Sequence, residues 1–79
     1  MIDPLHFQTF IAIYRSGSQT KAASQLYLTQ PTLSHHVKSL EAQIGRKLFK
    51  KSGRDLVPTL VAHQLALSVS PHLDALNHI

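Results

Sequence analysis

Residues 28–41 read LTQPTLSHHVKSLE, and two different sides can be told apart within them. Leu33, Val37, Leu40 and, one turn beyond, Ile44 step four, three, four, the spacing of a helix that buries one stripe. The other side opens with Thr29, Gln30, Pro31 and Thr32 and continues with Ser34, His35 and Lys38. Thr29 is a suitable N-cap, and Pro31 fits a first turn whose N–H groups have no intrahelical partner. Gly45 ends the helix, because glycine tolerates the left-handed conformation of a C-terminal cap. Large apolar groups inward and small polar groups crowded at the start describe a helix made to lie against something.

Upstream, Asp3 followed by Pro4 marks a helix start, and Phe7, Phe10, Ile11 and Tyr14 form one buried stripe behind it. Gly17 closes that helix and Ser18 caps a second, short one from Gln19 to Leu26, whose inner face is Ala22, Ala23 and Leu26. Tyr27 and Leu28 make the turn into the helix of the opening stretch. Downstream, residues 47–59, KLFKKSGRDLVPT, predict a two-stranded hairpin: Leu48 and Phe49, a Ser52-Gly53 turn, then Leu56 and Val57. Pro58 ends the strand and Thr59 caps a last helix.

In that last helix Ala62, Ala66, Val69, Leu73 and Leu76 step four, three, four, three, the spacing of a coiled-coil seam. The seam predicts dimerisation with a second copy, with Leu60 and Leu67 packing on the domain itself. The alternative, a seam that packs on the domain's own core, would leave the distal turns uncovered. Pro71 removes a backbone donor and predicts a bend. The division expected is a winged helix-turn-helix over residues 1–58 and a linker helix over 59–79, a mainly α fold.

At 79 residues the chain is one small domain. A domain of this size buries roughly 60% of its unfolded surface, so a partner surface adds much. The formal charge is +4. Lys38, Arg46, Lys47, Lys50, Lys51 and Arg54 crowd one stretch, and no lysine or arginine follows Asp55. Such crowding suggests a phosphate-facing edge, although a merely solvated positive surface is about as common for such a run taken alone. With no cysteine, disulfides, thiolate metal sites and cysteine nucleophiles are excluded. There is no apolar run of membrane-spanning length, and a cytoplasmic location is expected.

The order helix, short helix, turn, helix, hairpin is that of a helix-turn-helix with a wing, whose third helix enters the major groove of duplex DNA. Thr29, Gln30, Pro31, Thr32, Ser34, His35 and Lys38 then face the groove. Gln30 can present a bidentate amide to adenine, and the Thr32 methyl can meet a thymine methyl. Lys50, Lys51 and Ser52 on the wing reach the backbone, and Arg54 suits a narrow minor groove. Two other classes compete. RNA binding wants exposed aromatic groups, yet most Phe and Tyr fall on buried stripes. A protein-interaction module would use the terminal seam instead.

These residues carry a resemblance. Ala22-Ala23, Leu26, Thr29-Gln30-Pro31, Leu33-Ser34, Leu40-Glu41, Gly45, Leu48-Phe49, Gly53-Arg54 and Thr59 resemble the N-terminal DNA-binding domain of LysR-type transcriptional regulators, from about Leu5 to the end. The resemblance implies sequence-specific binding to an inverted-repeat operator. It also implies a homodimer through the linker helix, with tetramers in the full-length protein. No cofactor is implied in this domain; a small-molecule effector would bind a C-terminal domain that these residues do not include, so they are expected to be a piece of a longer chain. The sequence departs from the family's pattern at Gln19, where an aromatic is common, at Ala62, a frequent glycine, and at His35, a frequent arginine. With His35 there, the strong constant-charge contact that an arginine would give is not expected.

Metal and catalytic readings find little support. His35 and His36 are neighbours and point about 100° apart, whereas helical zinc sites pair residues at i, i+4. Asp74 and His78 share a face but lack a third ligand. Glu41, the only glutamate, is better suited to pairing with Lys38 or a backbone donor than to acting as a base. No enzymatic activity is expected.

Overall fold

The computed structural model describes residues 3–53 and 55–77, with side chains over 3–53 and 56–68. It contains α1 (Pro4–Ser16), α2 (Gln19–Leu26), α3 (Gln30–Ile44), β1 (Phe49–Ser52), β2 (Asp55–Pro58) and α4 (Leu60–Asn77). The helix ends follow local chemistry. Asp3 accepts from the Leu5 N–H, Ser18 from the Lys21 N–H, and Thr29 from the Thr32 N–H. Gly17 and Gly45 close α1 and α3 in the left-handed conformation, at φ 70 and 76.

The turn between α2 and α3 uses no glycine. Tyr27 itself adopts φ 56, with a side chain 96% exposed. The Leu28 N–H donates to the Ala23 carbonyl at 2.9 Å, which satisfies the end of α2 while Tyr27 bears the left-handed strain.

Helix α1 lies at the centre and packs against α2, α3 and α4. One core cluster joins Phe10, Ile11, Leu40, Leu48, Ala62 and Ala66; another joins Ile13, Ala22, Ala23, Leu33 and Val37. Phe49 at the base of the wing touches both, its ring 5.7 Å from that of Phe10. Because α1 is covered from several sides, Thr9 and Ile13 are buried along with Phe10 and Ile11 of the expected stripe, while its Phe7 and Tyr14 are half-buried against the core.

The expected seam on α4 needs correction. Ala62 and Ala66 are buried inside the domain against α1, α3 and Leu48, so they are core and not a surface for a second copy. Leu60 and Leu67, expected to pack on the domain, are 72% and 80% exposed. The physical reason is size: alanine lets α4 approach α1 closely, and a leucine there would hold it off. A boundary at 58/59 therefore cuts through a packed core. The side chains of Val69, Leu73, Leu76, Asp74 and His78 lie outside the described residues, while the α4 backbone is helical through Pro71. No helix among the described residues is long and apolar enough to cross a membrane.

Candidate nucleic-acid interface

The outward face of α3 follows from what its inward face must bury. With Leu33, Val37 and Leu40 inside, Thr29, Gln30, Pro31, Thr32, His35 and Lys38 are exposed and Ser34 is half-buried. Three hydrogen bonds order the start of this face. Thr29 Oγ1 donates to Thr32 Oγ1 at 2.9 Å while accepting from the Thr32 N–H. Gln30 Nε2 donates to Thr20 Oγ1 on α2 at 3.2 Å. The first turn of α3 also offers free N–H groups and the positive end of the helix dipole, both favourable to phosphate.

His35 and His36 have opposite surroundings. His35 is exposed beside the face just described, whereas His36 is buried against α1. Thr9 Oγ1 donates to the Leu5 carbonyl at 3.0 Å, which uses its one proton. The 2.9 Å bond between Thr9 Oγ1 and His36 Nδ1 must then run from an Nδ1–H to the hydroxyl oxygen. The His6 ring lies 4.7 Å from that of His36. Burial holds His36 below the ordinary histidine value, the neighbouring His6 and His35 push the same way, and Asp3 opposes them.

The wing is short and antiparallel, with Phe49 opposite Pro58, Lys50 opposite Val57, Lys51 opposite Leu56 and Ser52 opposite Asp55. Lys50, Lys51 and Ser52 are exposed; Arg54 lies outside the described residues. Glu41 ties the base of the wing to α3 by accepting from the Leu48 N–H at 2.7 Å, with Lys47 Nζ 4.0 Å from its carboxylate. Its partners are thus a backbone donor and Lys47 rather than Lys38. Thr59 fixes the other strand by donating to the Lys47 carbonyl at 2.7 Å and accepting from the Ala62 N–H at 3.2 Å. Lys38, Arg46 and Lys47, together with Glu41, line a groove beside the end of α3.

The structure thus brings Gln30, Thr32, His35 and Lys38 onto one exposed face, with the lysines of the wing on a second, braced element. Among the described residues no group of three or more His, Asp or Glu could hold a metal ion. Sequence reasoning overlooked Thr20, which touches Gln30. With Ala22 and Ala23 inward, a threonine in the first turn of α2 must face outward, and that was the available signal. It also overlooked the 2.6 Å hydrogen bond between Tyr14 and His63 Nδ1 that joins α1 to α4.

Comparison with known proteins agrees with this geometry. The model of bacterial regulatory helix-turn-helix proteins of the lysR family matches residues 5–63. The HTH-type transcriptional regulator AbaB of Streptomyces antibioticus is 43% identical over 72 residues, covering 91% of this chain and 24% of its own length. A LysR-family transcriptional regulator from Eggerthella lenta superposes with a TM-score of 0.80 at 33% identity, covering 89% of this chain and 99% of that one. The BenM_DBD/catB site 1 DNA complex superposes with a TM-score of 0.88 at 28% identity, covering 96% and 85%. The chain spans about a quarter of the length of the curated relatives it matches. By the extent of the family match, this chain belongs to the LysR family of bacterial regulatory helix-turn-helix proteins.

Proposed function

We propose that the chain is the DNA-binding part of a transcriptional regulator and reads duplex DNA in a sequence-specific way. The observation that carries the reading is the exposed start of α3, with Thr29, Gln30, Thr32 and His35 outward, together with the exposed lysines of the wing. Likeness to a domain solved on DNA supports it. In this reading α3 enters the major groove, Gln30 reads a base edge, and Lys50, Lys51, Ser52 and Arg54 meet backbone or minor groove.

Selection from a random-sequence duplex library, followed by a salt titration, tests it. Affinity should fall steeply with salt. Absence of binding at low salt overturns the reading in favour of a protein-interaction module. Gln30→Ala should cost ~1–3 kcal/mol at one base position, whereas Lys51→Ala should weaken all duplexes alike and lower the salt slope by roughly one.

The proposal extends to the whole regulator. A homodimer binds an inverted-repeat operator from the cytoplasm, and a further domain, outside these residues, takes a small-molecule effector. The exposed Leu60 and Leu67 support pairing through α4, on a different face from the one its repeat suggested.

A further inference from the structure

Gln30 stands at an exposed helix start, where a long amide side chain would ordinarily sample several rotamers. Here its amide is held from another helix: Nε2 donates to Thr20 Oγ1 at 3.2 Å, across a sequence separation of ten. The consequence is chemical as well as entropic. A primary amide has two N–H donors and one carbonyl acceptor. With one N–H spent on Thr20, the second N–H and Oε1 are left, a donor beside an acceptor. That pair matches the adenine edge, where N7 accepts and N6–H donates. The flipped amide would give its oxygen to the Thr20 hydroxyl and turn two donors outward, the match for guanine N7 and O6.

What selects between these states is the Thr20 proton. A threonine hydroxyl both donates and accepts, so by itself it permits either amide. In the observed arrangement it accepts, and its own proton is free for another acceptor. Thr20 is exposed in the first turn of α2, a place from which helix-turn-helix proteins meet the DNA backbone. A phosphate oxygen can only accept. Once it takes the Thr20 proton, the hydroxyl oxygen must accept from Gln30, and the amide is fixed in the adenine-reading state.

We infer that Thr20 is a positioning residue for base recognition, coupling a backbone phosphate to the orientation of the Gln30 amide and so favouring adenine over guanine. The inference rests on the reading of α3 as the groove-facing helix. It goes beyond that reading by assigning specificity to a residue on α2 and by naming the base pair it rejects.

The test uses duplexes selected from a random-sequence library, remade with each base at each position. Wild type should prefer adenine at the position that loses its preference in Gln30→Ala. Thr20→Val, which keeps shape and removes the hydroxyl, should lower the adenine-to-guanine affinity ratio there by about three- to tenfold, the scale of freeing one long side chain. Ratios at other positions should be kept. Thr20→Ser should restore the preference, and Thr20→Val added to Gln30→Ala should change the ratio no further. If Thr20→Val weakens every duplex alike with ratios intact, Thr20 is only a backbone contact and the inference is overturned. If Thr20→Ser behaves as Thr20→Val, packing of the methyl group is responsible and the inference again fails. If Gln30→Ala leaves every base preference unchanged, the reading of Gln30 itself falls, a result distinct from the first two.

Discussion

Helices α3 and α4 both announce themselves in the sequence by a regular apolar repeat, yet they use it in opposite ways. In α3 the large residues Leu33, Val37 and Leu40 go inward and small polar ones face out. In α4 the small Ala62 and Ala66 go inward, while Leu60 and Leu67 stand in solvent. Periodicity locates a stripe but does not say what covers it. Side-chain volume says more: Phe10 and Ile11 of α1 supply the bulk where α4 crosses, so the fully covered positions of α4 are alanines, with Val61 and Leu65 half-buried beside them. The exposed leucines of α4 are therefore on the side that its apolar repeat alone assigns to the core.

The largest expected effect is at the inner stripe of α3. Leu40 is fully buried, and Leu40→Ala should lower unfolding free energy by about 2–5 kcal/mol, seen as a shifted denaturant midpoint. Next comes the inner face of α4. Ala62→Leu should destabilise by about 1–3 kcal/mol through overpacking. A neutral or stabilising result there would mean that the small side of α4 has room, and the contrast between the helices would collapse.

Much of the fold was legible because helix ends are decided locally. Asp3, Ser18, Thr29 and Thr59 accept from backbone N–H groups two or three residues on, and Gly17 and Gly45 meet the left-handed requirement without help from distant residues. The exposed side of α3 was legible too, since its buried stripe is made of large residues. What was hidden depends on tertiary crossing. Thr9 and Ile13 are buried because α1 is covered by several helices, which one stripe cannot express. The fate of His36 depends on Thr9, 27 residues away, and the Thr20–Gln30 bond depends on how α2 crosses α3.

The two adjacent histidines sharpen the comparison within α3 itself, with a smaller effect that depends on pH. His36 is held below its ordinary value in the fold by burial first, then by His6 and His35, against Asp3. The folded state therefore binds fewer protons than the unfolded chain. Its contribution is fully present above the unfolded value of ~6.5, and it is lost as pH falls from there toward the folded value. Thermal melts from mildly alkaline to mildly acidic pH should show stability dropping below that point. His36→Gln keeps a donor for Thr9 without a titrating ring, and it should flatten the drop. His35→Gln removes the smallest of the lowering causes and should keep most of the drop. Parallel profiles for wild type and His36→Gln would assign the acid sensitivity elsewhere.

The smallest effect on the fold is expected where the largest effect on assembly lies. Leu60 and Leu67 already face water, so converting both to serine should change the unfolding free energy of the dilute monomer by only about 0.5 kcal/mol each. Their spacing of seven puts them on one side of α4, where a second copy could cover both at once. Covering a leucine fully is worth about 1.5–3 kcal/mol, enough for a pair on each chain to matter in association. Wild-type melting temperature should then rise with protein concentration, since binding to the folded state stabilises it by mass action. The Leu60→Ser, Leu67→Ser protein should melt at nearly the same temperature at every concentration and sediment as a monomer. If it keeps the wild-type concentration dependence, these leucines are not the covered surface, and the outward side of α4 has no part in pairing.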